Sequence, residues 1–281
     1  MFFQPIPEFA TKVSATTILQ TSRMNTNLRH RLKNGDKLIA TILSVPSPSV
    51  AEVLAETGFD ALFIDGEHAP FGTGDIQAVI QAVDRDLPCI VRVAEPRELE
   101  IKKALDVGAA GVIVPMVNSA EQAAQMVSHA RYSPEGSRGV GVARVQGYGM
   151  KLGEYLESAN DKIAVIVQAE HIRAVENIEA IVKVPGIDGV LIGPYDLSAS
   201  LGKMGKIDDP QVVAAIDRVT SACRNAGMPL GIFQVTAAAV RPYIERGFSF
   251  IVVGVDTILL GNAAQGLLKD VRHLIETGRE S

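Results

Sequence analysis

The chain has no tryptophan, two cysteines, and only five tyrosines and nine phenylalanines in 281 residues. Cys89 and Cys223 lie far apart and share no metal-ligand spacing. A disulfide framework and a thiolate zinc site are therefore both excluded, and a reduced, cytoplasmic protein is expected. No apolar run reaches the roughly 18 residues needed to cross a bilayer. Excess positive charge is missing too: 27 Lys and Arg are interspersed with 32 Asp and Glu, for a net charge of −5. Without a basic block, neither nucleic acid nor a membrane surface is an expected partner. No Gly-x-Ser-x-Gly elbow and no Walker-type loop occurs.

Residues 1–23 read as an extension separate from the rest. Met1-Phe2-Phe3-Gln4-Pro5 lacks the basic start and long apolar centre of a secretory signal. Thr16 to Met24 is polar and without period, so a flexible extension is expected, with Met24 as an alternative start. Residues 24–281 then form one domain.

What the chain does have is a rhythm. Apolar runs alternate with helical patterns from Leu38 onward. Strands are expected at Leu38–Val45, Ala61–Asp65, Cys89–Val93, Gly111–Val117, Ile163–Gln168, Gly189–Gly193, Leu230–Gln234 and Phe250–Gly254. Ser119 caps a helix with Gln122 at capping-box spacing. A last long helix runs from about Leu259 to Thr277. Ser133–Met150 reads as a long loop of five glycines with Arg138, Arg144 and Tyr148, and loops of that length are usually functional or mobile. Eight strand–helix units in about 240 residues match a (β/α)₈ TIM barrel. Continuous Val/Ile/Leu runs fit parallel strands buried on both faces. The alternative doubly wound sheet wants a Gly-rich turn after its first strand, and Ser44-Val45-Pro46-Ser47 is not one.

In a barrel the chemistry sits at the C-terminal strand tips. Here those tips carry Asp65, Glu67 and His68, then Arg92, Gln168, Glu170, Asp196, Gln234 and Asp256. Glu170 and Asp196 end neighbouring strands, which lie about 4.8 Å apart, so the two can share one cation. Two carboxylates with water and substrate oxygens suit Mg²⁺ or Mn²⁺ better than zinc. Arg92, facing into the barrel, needs an anion, because a buried unpaired charge is costly. A substrate carboxylate or enolate oxygen would serve, as would a structural pair with Asp65 or Glu67. His68 stands three residues past Asp65, within reach of a carboxylate–imidazole pairing for a general base. Lys102, Lys103 and Lys183 fall in helices, Lys162 begins a strand, and Lys203 and Lys206 lie in a loop. No lysine ends a strand, which disfavours imine chemistry.

Phe63-Ile64-Asp65-Gly66-Glu67-His68-Ala69-Pro70, Val91-Arg92-Val93, Gln168-Ala169-Glu170 and Gly193-Pro194-Tyr195-Asp196-Leu197-Ser198 resemble the HpcH/HpaI aldolase family over about residues 28–275. The resemblance implies a metal-dependent, class II pyruvate aldolase cleaving 4-hydroxy-2-oxo acids, such as 2-keto-3-deoxy sugar acids or related diacids, to pyruvate and an aldehyde. It implies a divalent ion on Glu170 and Asp196 (Mg²⁺ or Mn²⁺, with Co²⁺ a further option). Arg92 would hold the keto or enolate oxygen, and His68 paired with Asp65 would act as base. Gln168, Gly193, Pro194 and Tyr195 would line the pyruvate site. It also implies a hexamer, a trimer of dimers, with the last helix swapped between subunits. Oxaloacetate decarboxylation or a citrate-lyase-β-like reaction on an acyl-CoA is the alternative. A CoA ester needs a basic entrance, for which Arg138 and Arg144 are the candidates. The chain departs from the family pattern at Tyr195 and His171, which are expected to crowd the aldehyde side.

Overall fold

A computed structural model describes residues 27–83 and 87–277. The expected extension, 1–23, lies outside the described residues. Eight parallel strands close into a barrel in simple chain order. They are β1 (Leu38–Leu43), β2 (Ala61–Asp65), β3 (Cys89–Arg92), β4 (Gly111–Val114), β5 (Ala164–Ala169), β6 (Gly189–Ile192), β7 (Leu230–Gln234) and β8 (Phe250–Val255).

The two-residue period of a strand explains why these runs are apolar throughout. Alternate residues, among them Ile42, Phe63, Ile90, Ile113, Ile166, Leu191 and Phe250, fill the barrel interior. Their neighbours Leu62, Ile64, Val91, Val112, Val165, Val167 and Val190 pack outward against the helices.

The N-terminal end of the barrel is built for stability. A short helix, α1 (Leu28–Lys33), is capped by Asn27 and plugs this end; the sequence reading assigned no helix there. Its Leu28 and Leu32 are wholly buried in the barrel-interior cluster. Beside it Asp188 is buried and accepts from Arg29 Nε at 2.7 Å, Arg131 at 3.0 Å and the Val165 amide at 3.0 Å.

The long loop belongs to this same end. It follows the C-terminus of α5 (Ala120–Ala130) and leads through α6 (Leu152–Lys162) into β5. Arg138 is fully buried, donates to Asp106 at 2.6 Å and stacks 4.5 Å from the Tyr132 ring. Arg144 donates to the Val107 carbonyl at 2.9 Å. Asp106 and Val107 close the helix after β3, which runs back down to the N-terminal end. Both arginines are thus committed at the end opposite the strand tips. They do not form the basic entrance that a CoA ester requires, and that expectation is corrected.

The last helix, α12 (Asp256–Thr277), starts three residues earlier than expected. Asp256 is its root: the carboxylate accepts from Ser44 Oγ at 2.6 Å, the Ser44 amide at 3.0 Å and the Val45 amide at 2.8 Å. Asp256 is also its only buried residue, and Leu260, Leu267 and Leu274 stand 73%, 67% and 68% exposed. An apolar cavity of about 410 Å³ opens between this root and α2 (Pro48–Ala55), lined by Val50, Val53, Leu54, Leu259 and Leu260. No described helix is long and apolar enough to cross a membrane.

Asp188→Ala leaves Arg29 and Arg131 buried without their shared counter-charge, a class of change that costs about 3–5 kcal/mol. Chemical denaturation is expected to read a loss of that size. A loss below about 0.5 kcal/mol, the range of a neutral surface change, would contradict the reading.

Candidate active site

The strand tips meet in a cavity of about 180 Å³ at the C-terminal mouth. Ile42, Phe63, Leu191 and Phe233 make its apolar floor and wall, and His68, Arg92, Gln168, Gly193, Pro194, Tyr195 and Asp196 also line it. Asp65 and Glu170 stand one shell behind, each holding a lining side chain.

Asp65 and Arg92 are register partners across β2 and β3. Asp65 grips the guanidinium with two hydrogen bonds, from Nε at 3.0 Å and from a terminal nitrogen at 2.8 Å. Its Oδ1 also accepts the Glu67 and His68 amides, at 3.1 and 3.2 Å. Burial pushes the Asp65 carboxyl up, but Arg92 and these amides more than offset it, and the group ends below the usual carboxylate range. Arg92 lies 5.5 Å from the centre of the Phe63 ring, and Glu67 Oε2 is 3.3 Å from its remaining terminal nitrogen. A guanidinium this buried needs counter-charge close by, and the two carboxylates supply it.

The His68–Asp65 ring pairing expected from spacing is not formed. The His68 side chain is 62% exposed, and its Nε2 lies 3.6 Å from Glu67 Oε2. Asp65 contacts His68 only through the backbone amide. The reason is register: Arg92 stands directly beside Asp65 and takes both carboxylate oxygens.

Across the mouth, Glu170 follows β5 and is 4% exposed. Its Oε1 accepts the Met116 amide at 2.8 Å, and its Oε2 accepts from Gln168 Nε2. Burial, reinforced by the nearby Glu67 and Asp196 charges, pushes the Glu170 carboxyl up to about 7. The sequence carried no sign of Met116. β4 was expected to run to Val117, but it stops at Val114, and Met116 turns into the left-handed region with φ 55°. That conformation is costly for a non-glycine residue and tends to gather at functional sites. Here it accompanies an amide aimed at Glu170.

Asp196 sits in the first turn of α9 (Pro194–Ser200), exposed at the mouth. Gly193, just before it, leaves little space for a larger residue. A Cβ there would stand 3.1 Å from Gln168 Nε2, 3.1 Å from Glu170 Cβ and 3.3 Å from Glu170 Oε2. Tyr195 is half exposed on the rim of the cavity. His171 does not crowd the cavity. Its Nδ1 caps α7 (Ile172–Glu176), accepting the Arg173 amide at 3.1 Å.

The site carries more negative than positive charge. Burial raises the Glu67 and Glu170 carboxyls, and the neighbouring Asp196 charge adds to both, with Arg92 as the buried cation. Gln168 Oε1 is buried without a hydrogen-bond partner among the described residues. A surplus of hard oxygen donors with one left open suits a Mg²⁺-like cation. Among the described residues no three His, Cys, Asp or Glu side chains form a closed metal cage.

The family profile described as HpcH/HpaI aldolase/citrate lyase matches residues 41–263. The chain belongs to this family. It is 41% identical over 237 residues to a hydroxypyruvate/pyruvate aldolase from Cupriavidus necator, covering 82% of this chain and 87% of that one. It is 41% identical over 241 residues to a 2-keto-3-deoxy-L-rhamnonate aldolase from Salmonella gallinarum, covering 84% and 90%. A solved HpcH/HpaI aldolase/citrate lyase family structure from Burkholderia cenocepacia superposes with a TM-score of 0.85 at 38% identity, over 88% of this chain and all of that one. The chain is an aldolase, a carbon–carbon lyase.

Gly193→Ala is expected to shift Gln168 and Glu170 by a few tenths of an ångström and to lower aldolase turnover several-fold, less than the roughly 10²-fold that a 1 Å misplacement costs. Its melting temperature should stay near that of the parent. Unchanged turnover would show that the close approach around Gly193 is not needed.

Proposed function

We propose that this aldolase cleaves a 4-hydroxy-2-oxo acid, of the 2-keto-3-deoxy sugar acid or related diacid type, to pyruvate and an aldehyde, and that it needs a divalent cation. The observation that carries the reading is the placement of Glu170, buried behind the cavity wall, and Asp196, at its mouth, around an Arg92 held between two carboxylates. The two aldolase relatives, named for hydroxypyruvate/pyruvate and 2-keto-3-deoxy-L-rhamnonate, support it.

Glu170 and Asp196 would hold the ion, with Gln168 beside them through its Nε2 hydrogen bond to Glu170. When bound, a Mg²⁺ or Mn²⁺ ion supplies Lewis-acid withdrawal of charge. Cleavage leaves negative charge on the three-carbon fragment. The Arg92 guanidinium, fixed by Asp65 and Glu67 before substrate arrives, meets that charge without reorganising. Gln168 presents an amide beside the same space. His68, exposed at the mouth, takes the 4-hydroxyl proton as the carbon–carbon bond breaks and returns a proton to the new methyl carbon. Ile42, Phe63 and Phe233 keep water from the reacting end, and Pro194 and Tyr195 border the aldehyde half. Oxaloacetate decarboxylation would use the same charge stabilisation without an aldehyde.

We also infer that α12 docks on a second copy of the chain, in a hexamer built as a trimer of dimers. Its exposed leucines and the open apolar cavity at its root support this, because a lone helix gains nothing from leaving such a face in water. Burial of both free cysteines agrees with a cytoplasmic setting.

A pyruvate-coupled assay on a panel of 4-hydroxy-2-oxo acids tests the reaction. Pyruvate release is expected, lost in EDTA and restored by Mg²⁺ or Mn²⁺. Glu170→Gln and Asp196→Asn should each lower it at least 100-fold; full activity in either would refute the ion's placement. Release of pyruvate from oxaloacetate alone would move the assignment to a decarboxylase. Multi-angle light scattering is expected to read a hexamer, and a stable monomer would rule out the docked α12.

A further inference from the structure

We propose that Asn118 is a positioning residue for the cation: it holds the Met116 backbone, whose amide in turn fixes Glu170. This deepens the reading above and rests on its placement of the ion. β4 and β5 are neighbours, with Val114 opposite Val167, so the turn that leaves β4 runs beside Glu170. The Met116 amide donates to Glu170 Oε1 at 2.8 Å. Met116 has φ 55°, a left-handed conformation that a residue with a Cβ disfavours, so something must hold it there. Three side-chain bonds do. Asn118 Nδ2 donates to the Met116 carbonyl at 3.0 Å, Gln122 Oε1 accepts the Asn118 amide at 2.7 Å, and Asn177 Nδ2 donates to the Asn118 carbonyl at 2.8 Å. Of these only Asn118 grips Met116 itself. Met116 is thus pinned between Asn118 at its carbonyl and Glu170 at its amide.

A carbonyl oxygen only accepts, so this bond fixes which way the Asn118 amide points. Its Oδ1 is then buried without a hydrogen-bond partner among the described residues, in a residue that is 8% exposed. A buried acceptor left open costs stability. Asn118 therefore holds its turn at a cost to the fold, the pattern of a group kept for a site and not for packing. With Gln168 Nε2 on Oε2 and the Met116 amide on Oε1, the Glu170 carboxylate is held at both oxygens and meets a cation without turning. Groups that orient a metal ligand in this way govern affinity by about 10–100-fold.

The test titrates Mn²⁺ into the cation-free, full-length protein and reads the bound ion by electron paramagnetic resonance, with no substrate present. Asn118→Ala is expected to raise the Mn²⁺ Kd at least about tenfold. The melting temperature of its cation-free form should stay within about 3 °C of the parent, the scale of one hydrogen bond, because the change also removes the open oxygen. Adding Met116→Gly, which takes up the left-handed conformation without a Cβ, is expected to recover at least about threefold of the lost affinity. Gln122 is exposed on α5, so Gln122→Ala loosens the same turn more gently and should raise the Kd about threefold. An Asn118→Ala Kd within about threefold of the parent, a melting temperature that falls while Mn²⁺ affinity does not, or no recovery on adding Met116→Gly would each overturn the proposal. If Asn118→Ala does not fold, a Gln122→Ala Kd equal to the parent's overturns it instead. A parent that binds no Mn²⁺, or a Glu170→Gln variant that binds it as tightly, refutes the placement of the ion; tight, Glu170-dependent binding that Asn118→Ala leaves intact refutes the role of Asn118 alone.

Discussion

The mouth of this barrel is organised around one ion pair, Asp65 with Arg92. The two residues are register partners on adjacent strands, so the pair is set as soon as β2 and β3 align. Removing either partner would strand a charge in a nearly dry place, which is among the most costly single changes a fold can suffer. Asp65 also accepts the two amides that begin the following turn, and this fixes the direction in which Glu67 and His68 leave the strand. One carboxylate therefore sets an arginine and the turn that follows the strand.

The charge balance follows from that arrangement. With Asp65 matched to Arg92, three carboxylates remain near the cavity: Glu67, Glu170 and Asp196. Their mutual repulsion and the burial of Glu170 hold its carboxyl at about 7. Such a cluster is stable only when protonated or when a cation joins it. The other end of the barrel has no such tension: Asp188 satisfies Arg29 and Arg131, and Asp106 satisfies Arg138. This division, stability at the N-terminal end and reactivity at the C-terminal end, is the usual one for the fold.

Much of this was legible in the residues. The bounds of β2 and β7 match the expected ones, because polar or glycine-bearing segments flank each apolar run sharply. β4 was overextended because Pro115-Met116-Val117 is apolar, and a left-handed turn at a methionine leaves no compositional trace. α1 was missed because six residues give too little periodicity to read. The candidate site residues were chosen because they stand at strand tips, a property of order along the chain. Their pairings were read less well. Spacing linked His68 to Asp65, whereas cross-strand register gave Asp65 to Arg92. Arg138 and Arg144 were assigned to an entrance although their loop follows a helix and leads on to a strand, an order that places it at the N-terminal end.

The central claim is that this mouth stabilises an enolate through Arg92 and a divalent cation held by Glu170 and Asp196. The most direct measurement is exchange of the pyruvate methyl protons in D₂O, followed by NMR, which needs no knowledge of the aldehyde. Exchange should be catalysed by the Mg²⁺- or Mn²⁺-loaded protein, stop in EDTA, and fall sharply in Arg92→Met. Exchange that continues unchanged without the cation, or in Arg92→Met, would contradict the account.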